Sequence, residues 1–405
     1  MLIDHIPLRE FASRRTKLLT GLKASAALVF AGSHDPDSDT PFRPDAHFEY
    51  LTGIVDEPGA VLLLDPANPV EDRRSMLLLA PLNPEREKWD GYRLQISRAL
   101  RERTGLQAIF RTEMLPRLLN SAAVRSKRLA CLHPPAQYDQ PISPDLALFT
   151  KVAQRLCGIV IEDRTDMLAK MRAVKSRNEI AMIQRAIDIT AGGFGAMMRS
   201  IRPGMNEFDV QEIVEHAYRT HGSRGSAFPT IAGSGVNSTV LHYCANDQPL
   251  RKGDLICVDS GASFGGYSAD ITRTVPVSGR FNKRQREVYE ITLKAQRAAI
   301  QAIRPGVMFS KIDDAARRVI DKAGLGDFFI HGIGHHLGLQ THDASPDAPL
   351  RQGAVVTIEP GIYIPEEKIG IRIEDDILVT RTGAKNLSAK IPKTVAAIEK
   401  LMARQ

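Results

Sequence analysis

Four acidic residues stand at the ends of apolar, strand-like runs in the second half of the sequence. Asp259 and Asp270 lie in VDSGASFGGYSADITRT, whereas Glu359 and Glu374 lie in TIEPGIYI and GIRIEDD. Carboxylates on apolar strands cannot remain buried and ionised without compensating positive charge. The pattern therefore predicts that the four side chains converge on one or more metal ions, for which carboxylate oxygens are hard ligands.

A histidine and two arginines complete this set of charged and metal-binding groups. Arg273 and Arg372 would supply part of the positive charge, but too little for four carboxylates. His335, in HGIGHHLGLQTHD, would add a nitrogen ligand, and the glycine beside it leaves the backbone free to approach a metal closely. Five such ligands predict a pair of divalent ions roughly 3.5–4 Å apart, which would activate a bridging water and polarise a carbonyl. Mn²⁺, Co²⁺ and Zn²⁺ all suit four oxygen donors and one nitrogen, and the residues do not choose among them.

The segment that carries the first acid is repeated later in the chain. Leu241–Gly261 is echoed one hundred residues later by Thr341–Gly361, so that His242 matches His342 and both segments contain PLRxG. An IRPG motif also occurs twice, each time before a helix-like segment. Two copies are too few for a solenoid. They predict a domain of two halves related by a pseudo-twofold axis, on which the paired acids and histidines converge.

The 405 residues allow two or three domains. Helical and strand signals alternate up to about residue 163, which predicts an α/β domain with a mixed, mostly buried sheet. From Thr165 a long, charged amphipathic stretch runs to Arg199, and we expect domains at 1–164 and 165–405 in a chain of the α/β (α+β) class. The predicted helices are Pro7–Lys23, Arg93–Arg103, Pro144–Cys157, Asn206–Thr220, Lys283–Ile303 and Phe309–Ala323.

Charge and composition exclude several classes of partner. The net charge is +7, but the basic residues are dispersed and form no basic–aromatic motif, so we expect no nucleic-acid partner. No apolar run approaches the roughly 18 residues of a membrane helix, so we expect no membrane partner. The N-terminal residues lack the pattern of a signal peptide, and the four cysteines form no CxxC pair, which favours reduced thiols and a cytoplasmic location.

The second domain resembles a known family, the pita-bread metallopeptidases, which include aminopeptidase P, prolidase and methionine aminopeptidase. The resemblance covers Arg172–Ala389 and rests on VDSG with DITRT, HGIGHHLGLQTHD, EPGIY and GIRIEDD. It implies five metal ligands: Asp259, Asp270, His335, Glu359 and Glu374.

The same resemblance implies roles for further residues. His242 and His342 would hold the scissile carbonyl and its tetrahedral intermediate, as an oxyanion hole does. His331 would contact the substrate on the proline side, and Glu359 would also move a proton. Arg372 would orient the metal ligands without binding the metal itself.

The first domain separates the members of the family. PFRPDAHFEYLTG followed by EPGAVLLL resembles the N-terminal domain of aminopeptidase P and of some prolidases, whereas methionine aminopeptidases lack such a domain. The resemblance implies that Trp89 helps to close the active site of a neighbouring subunit, which would require a homodimer or homotetramer. The alternative is a core or surface tryptophan. Asp39 would assist recognition of the substrate's free amine.

The sequence departs from the family's pattern at three places. His336 stands where relatives often carry an aromatic residue, Gln340 stands where an acid is common, and the loop Ile364–Ile369 is short. None of these is a predicted metal ligand, so we expect them to affect the preferences of the pocket rather than its chemistry.

We therefore predict a two-metal aminopeptidase that releases the first residue of peptides with proline in second place, by attack of a bridging hydroxide. Proline forms a tertiary amide without an N–H, which makes a dedicated pocket useful. A prolidase, which cleaves only Xaa-Pro dipeptides, is the alternative. A metal-free creatinase-like hydrolase or a binding module is disfavoured because all five ligands are present.

Overall fold

A computed structural model of the chain describes residues 5–34 and 41–403. The chain divides into two compact units, Met1–Met171 and Arg172–Gln405. The sequence predicts a boundary at residue 164, and the helix Asp166–Arg172 follows that point directly. Among the described residues no helix has the length and apolar character needed to cross a membrane.

The first unit contains a six-stranded sheet in the order β4-β3-β2-β1-β5-β6. Its central strands pair antiparallel, whereas β4, β5 and β6 join in parallel, so the predicted mixed sheet is confirmed. Apolar side chains of β1, β2 and β3 are buried, as expected for a sheet covered on both faces. The strands are β1 (Ala26–Phe30), β2 (Val61–Leu64), β3 (Ser75–Leu79), β4 (Ala108–Arg111), β5 (Arg128–Cys131) and β6 (Val160–Asp163).

The helices of this unit follow the apolar pattern, with one correction. The predicted helix Arg93–Arg103 begins only at Arg98, because the Ser97 side chain accepts the Leu100 N–H as an N-cap. The residues before it are held in another way, since the Leu94 N–H donates to the Glu57 carboxylate at 3.0 Å. The helices are α1 (Leu8–Leu22), α2 (Ala46–Thr52), α3 (Pro84–Asp90), α4 (Arg98–Thr104), α5 (Leu115–Ser126), α6 (Pro144–Ala153) and α7 (Asp166–Arg172).

The second unit has the predicted internal repeat. Two helices and a three-stranded sheet, β11-β8-β7, are followed by two more helices and a second three-stranded sheet, β12-β15-β16. The helices are α8 (Arg177–Ser200), α9 (Glu207–Thr220), α10 (Lys283–Ala302), α11 (Phe309–Lys322) and, near the end of the chain, α12 (Val395–Met402). The strands are β7 (Ile231–Ser234), β8 (Leu255–Ser260), β9 (Ser263–Phe264), β10 (Tyr267–Ser268), β11 (Ile271–Pro276), β12 (Val355–Ile358), β13 (Gly361–Ile364), β14 (Ile369–Arg372), β15 (Asp375–Val379) and β16 (Ala384–Asn386).

Backbone hydrogen bonds repeat between the halves as well. Leu250 bonds to Gly204 and Met205 in the first half, and Leu350 bonds to Gly306 and Val307 in the second. The two PLRxG segments are therefore tied to the two IRPG motifs in the same manner. This equivalence explains why residues one hundred positions apart occupy matching places.

Asp259 and Asp270 form one pair of acids, and Glu359 and Glu374 form the other. In each pair the chain between the two acids contains two further strands and is not a simple hairpin loop. Strands β8 and β11 pair antiparallel, but the chain between them forms the separate short pair β9-β10. Strands β12 and β15 also pair antiparallel, with the hairpin β13-β14 inserted between them. The loop Ile364–Ile369 joins β13 to β14. Glu359 and Glu374 lie at the points where the chain leaves one strand pair for the other.

Candidate active site

One cavity of about 560 Å³ gathers the functional residues that the sequence predicts in the second unit. Apolar and polar side chains share its wall, with Phe228, Ile231 and Leu241 among the apolar ones. The predicted residues that line it are His242, Asp259, Asp270, His331, His335, His342, Glu359, Arg372 and Glu374.

The four acids reach the cavity from equivalent places in the two sheets. Asp259 lies in β8 opposite Thr272 of β11, and Asp270 comes directly before β11. Glu359 directly follows β12, and Glu374 directly precedes β15. The paired strand ends bring carboxylates from distant parts of the chain to one point.

His335 lies on an extended segment that runs beside β12. Its carbonyl accepts the Thr357 N–H at 2.9 Å. The neighbouring residue must be glycine, because Gly334 has φ +152 and a Cβ there would stand 2.1 Å from the Thr357 carbonyl oxygen. The sequence predicts that the backbone here approaches a metal closely. In the structure it lies close to strand β12 instead, and this contact places the imidazole over the acids.

The hydrogen bonds of His335 define which ring nitrogen can bind a metal. Its Nδ1 lies 3.1 Å from the His336 carbonyl, which can only accept, so Nδ1 carries the proton. In the neutral ring Nε2 then presents a lone pair, 3.4 Å from Asp270 Oδ2 and 3.5 Å from Glu359 Oε1. A divalent cation can satisfy these three acceptor atoms at the same time.

The donor set fits a divalent metal. Ligand atoms of Asp270, His335 and Glu374 all lie within 4.8 Å of one another. Asp259 is 8% exposed and lines the same cavity, and its buried Oδ1 has no hydrogen-bond partner. Oxygen ligands joined by one imidazole suit Mn²⁺, Co²⁺ or Zn²⁺. A buried carboxylate oxygen without a partner is costly unless an ion completes it.

Burial and mutual repulsion make Asp270, Glu359 and Glu374 hard to ionise in the absence of a cation. Burial, reinforced by Asp259, raises the pKa of Asp270 well above its usual range. Burial also raises the pKa of Glu374 well above its usual range, with Asp270 as the next cause, and raises the pKa of Glu359 to about 7. A bound cation would remove this repulsion and favour the ionised forms.

Arg372 and Thr272 connect two of the acids. The Arg372 Nη2 donates to Asp259 Oδ2 at 2.8 Å, and its Nε donates to the Thr272 hydroxyl at 3.1 Å. That hydroxyl in turn donates to Glu374 Oε2 at 2.7 Å. Arg372 is 3% exposed, so its positive charge is shielded from solvent and lies close to the acids. Thr272 was missed from the sequence, although its place two residues after Asp270 puts both side chains on one face of the chain.

Tyr363 joins Arg372 to His331 and was also missed. Its hydroxyl accepts from Arg372 Nη1 at 3.0 Å and donates to His331 Nε2 at 2.8 Å. The other ring nitrogen of His331, Nδ1, donates to the Gly332 carbonyl at 2.8 Å. Burial lowers the pKa of His331 to about 4, so the ring is neutral and both nitrogens are occupied.

The repeat-related histidines lie on the open side of the cavity. His242 and His342 are both exposed. The His342 ring packs edge-on against His335, with 4.2 Å between ring centroids and 76° between planes. Partial burial, followed by the neighbouring His335 and His242, lowers the pKa of His342. The two rings can therefore contact a substrate that enters from solvent, while the acids lie deeper in the cavity.

Arg273 corrects one expectation from the sequence. It does not face the four acids but is fully buried against Asp375, with Nη2 2.8 Å from Asp375 Oδ1. Its remaining bonds reach backbone carbonyls of Thr272, Glu374, Ile391 and Pro392. The positive charge close to the acids comes from Arg372 instead.

The other predicted residues lie elsewhere. Trp89 is 88% exposed on α3, so a place in the core is excluded and the surface position remains. Asp39 lies outside the described residues. Of the departures from the family's pattern, His336 is buried beside Phe309, and Gln340 accepts a hydrogen bond from Arg172 at 2.8 Å. Neither of these two lines the cavity.

Comparisons with known proteins cover both units of the chain. Residues 181–381 match the family model of metallopeptidase family M24, and residues 11–130 match that of the aminopeptidase P N-terminal domain. The chain is 35% identical to the Xaa-Pro aminopeptidase of Haemophilus influenzae over an alignment of 438 residues that covers 98% of each protein.

Two further relatives differ in how much of the chain they match. The solved structure of aminopeptidase P from E. coli with the inhibitor Pro-Leu has a TM-score of 0.87 and 32% identity, and the match covers 98% of both chains. The Xaa-Pro dipeptidase of Pyrococcus furiosus is 40% identical over 228 residues, which cover 55% of this chain and 65% of that protein.

Proposed function

The chain belongs to metallopeptidase family M24 as a metal-dependent Xaa-Pro aminopeptidase, and we propose that it works with two divalent ions, Mn²⁺ first among them. The observation that carries the proposal is the single cavity into which five metal-binding side chains and three further histidines project. Divalent ions at such a site lower the pKa of water and polarise a carbonyl oxygen. The proposed ligands are Asp259, Asp270, His335, Glu359 and Glu374.

Around the ligands, the chain's own groups would handle the substrate and its proton. His242 and His342 stand at the open side of the cavity, where ring N–H groups can donate to the scissile carbonyl oxygen as negative charge develops on it. Glu359 is the proposed proton carrier, because its side chain is 17% exposed against 6% for Asp270. Arg372 fixes Asp259 and, through Thr272, the orientation of Glu374.

His331 suits a subsite for proline because it has no free hydrogen-bonding group. Both ring nitrogens are occupied, one by Tyr363 and the other by the Gly332 carbonyl. The ring therefore offers only its carbon edge to a ligand, and the nitrogen of a proline peptide bond has no N–H to donate. The Pro-Leu bound to the E. coli relative has the form of the product left when a Xaa-Pro-Leu peptide loses its first residue.

The proposed assembly is based on an exposed tryptophan of the first unit. Trp89 projects almost fully into solvent, as a residue that contacts a second subunit would before assembly. We propose on this ground a homodimer or homotetramer in which Trp89 contributes to a neighbour's site. A cytoplasmic location and the absence of a nucleic-acid partner stay predictions from composition.

Peptide length tests the proposal against the prolidase alternative. The metal-stripped protein should be supplied with Mn²⁺ and offered a Xaa-Pro-Xaa tripeptide and a Xaa-Pro dipeptide in parallel. We expect release of the first residue from the tripeptide, and no activity before Mn²⁺ is added. Cleavage of the dipeptide alone would favour prolidase, and inactivity on both with Mn²⁺, Co²⁺ and Zn²⁺ would refute the assignment.

A further inference from the structure

Glu359 and Glu374 stand where the strands of the second half stop pairing. Strand β12 ends at Ile358 and β13 begins at Gly361, while β14 ends at Arg372 and β15 begins at Asp375. The carboxylates therefore project from two short gaps between strand pairs. Backbone carbonyls in such gaps cannot rely on the regular ladder and need partners elsewhere when they are buried.

A single side chain on helix α10 bonds the backbone at both places, at the last residue of β12 and in the gap between β14 and β15. Gln296 is 0% exposed, and its Nε2 donates to the Ile358 carbonyl at 3.2 Å and to the Ile373 carbonyl at 3.0 Å. These are the residues immediately before Glu359 and Glu374. A side-chain amide has two N–H donors, and both are used here. One amide thus ties together the backbone that carries the two glutamates.

The orientation of this amide is itself fixed. The Lys393 Nζ donates to Gln296 Oε1 at 2.8 Å, so the oxygen faces the ammonium and the NH₂ group faces the two carbonyls. Lys393 also forms an ion pair with Asp375, which Arg273 holds from the other side at 2.8 Å. A flipped amide would set its NH₂ against the ammonium and its oxygen against two carbonyls.

We propose that Gln296 is a positioning residue for metal binding, which sets the spacing between the Glu359 and Glu374 carboxylates from behind the site. Gln296 is absent from the cavity wall, so it acts through the backbone and not by touching the substrate. The inference rests on the assignment of Glu359 and Glu374 as ligands in the proposed function. Groups that orient metal ligands typically change metal affinity or activity about 10–100-fold when they are removed.

A pair of identical substitutions on α10 tests the proposal. Gln296→Met keeps the side-chain length but removes both donors. Gln285→Met is the matched control, because Gln285 is also buried on α10 and donates to a backbone carbonyl, that of Gly253, at 2.8 Å. Gln285 also accepts the Asn282 N–H in the N-terminal cap of the helix, so its loss should destabilise the fold as well.

The measurements are the Mn²⁺ dissociation constant of the metal-stripped full chain by calorimetry, the melting temperature, and kcat and KM at saturating Mn²⁺. We expect Gln296→Met to weaken Mn²⁺ binding about 10–100-fold and to lower kcat more than it changes KM. Gln285→Met should bind Mn²⁺ as the unmodified protein does, although its melting temperature falls.

Unchanged Mn²⁺ binding by Gln296→Met would overturn the proposal, and so would an equal loss in both variants, which would trace the effect to stability. If Gln296→Met does not fold, Gln296→Asn replaces it. A side chain shorter by one methylene cannot bring its amide within reach of both carbonyls, so it should weaken Mn²⁺ binding as well. Failure of the unmodified protein to bind Mn²⁺, Co²⁺ or Zn²⁺ would instead refute the ligand assignment itself.

Discussion

Replacing Glu359 with glutamine should flatten the pH dependence of stability in the metal-free protein. Burial raises the pKa of Glu359 from its usual 4.5 to about 7 in the folded state. Between these two values the folded protein keeps a proton that the unfolded chain has released. The free energy of unfolding therefore falls as the pH rises through this window, which is the opposite of the behaviour of a carboxylate held by an ion pair.

The size of the effect follows from the two pKa values. A change from 4.5 to about 7 corresponds to about 3 kcal/mol of unfolding free energy lost across the window. In a unit of this size that is roughly 6–12 °C in melting temperature. Asp270 and Glu374 have pKa values raised in the same direction, so they add to the fall and should keep part of it in the variant.

The assay is thermal unfolding of metal-stripped protein from pH 4.5 to 7.5, for the unmodified chain and for Glu359→Gln. We expect the unmodified chain to lose stability across this range and the variant to lose less. Glutamine has no proton that titrates in this range, and its neutral amide does not repel Asp270 and Asp259. Identical pH profiles, or a metal-free protein that gains stability through this range, would show that the acids are already compensated and that the reasoning is wrong.

Four further substitutions test individual roles. Asp259→Ala or His335→Ala should abolish both activity and tight Mn²⁺ binding, and a fully metallated, fully active Asp259→Ala protein would disprove the site. His342→Ala should bind Mn²⁺ normally but lower kcat about 10²–10³-fold if the ring stabilises the oxyanion, and a change confined to KM would contradict that role. Thr272→Val keeps the shape of the side chain but removes its bonds to Glu374 and Arg372, so Mn²⁺ affinity should fall about 10-fold or more. Equal affinity in the valine variant, measured by calorimetry, would assign Thr272 a packing role only.

Much of the fold could be predicted because local signals agreed with tertiary structure. The helix over α9 begins after Asn206, whose side chain caps it, and the strand over β1 is an uninterrupted apolar run between a turn and a polar segment. The start of α4 was misplaced because residues 93–97 resemble a helix, while the Glu57 carboxylate captures the Leu94 N–H. No local sequence pattern indicates a hydrogen bond between residues that are 37 positions apart.

The candidate site was predicted in part for a similar reason. The four acids and His335 stood out because such groups are rare at the ends of apolar strands, and the repeat paired His242 with His342. The roles of His331 and Arg372 came from the resemblance to the family. Thr272 and Tyr363 were not found, since a threonine or tyrosine in a strand is ordinary and only its partners make it part of the site. Arg273 was assigned to the acids by proximity in sequence, but adjacent residues in a strand point to opposite faces, and it faces Asp375.

The kinds of candidate ligand, their pairing through the repeat and the family whose motifs carry them could all be read from the sequence. Those features depend on residue type and spacing, which are local. The sequence did not show which donor meets which acceptor. In the fold Arg372 rather than Arg273 bonds Asp259, and Nε2 of His335 presents the lone pair. Gln296 bonds Ile358 and Ile373, which follow it by 62 and 77 residues. A buried polar group must find its partner wherever packing brings one, and that choice belongs to the whole fold.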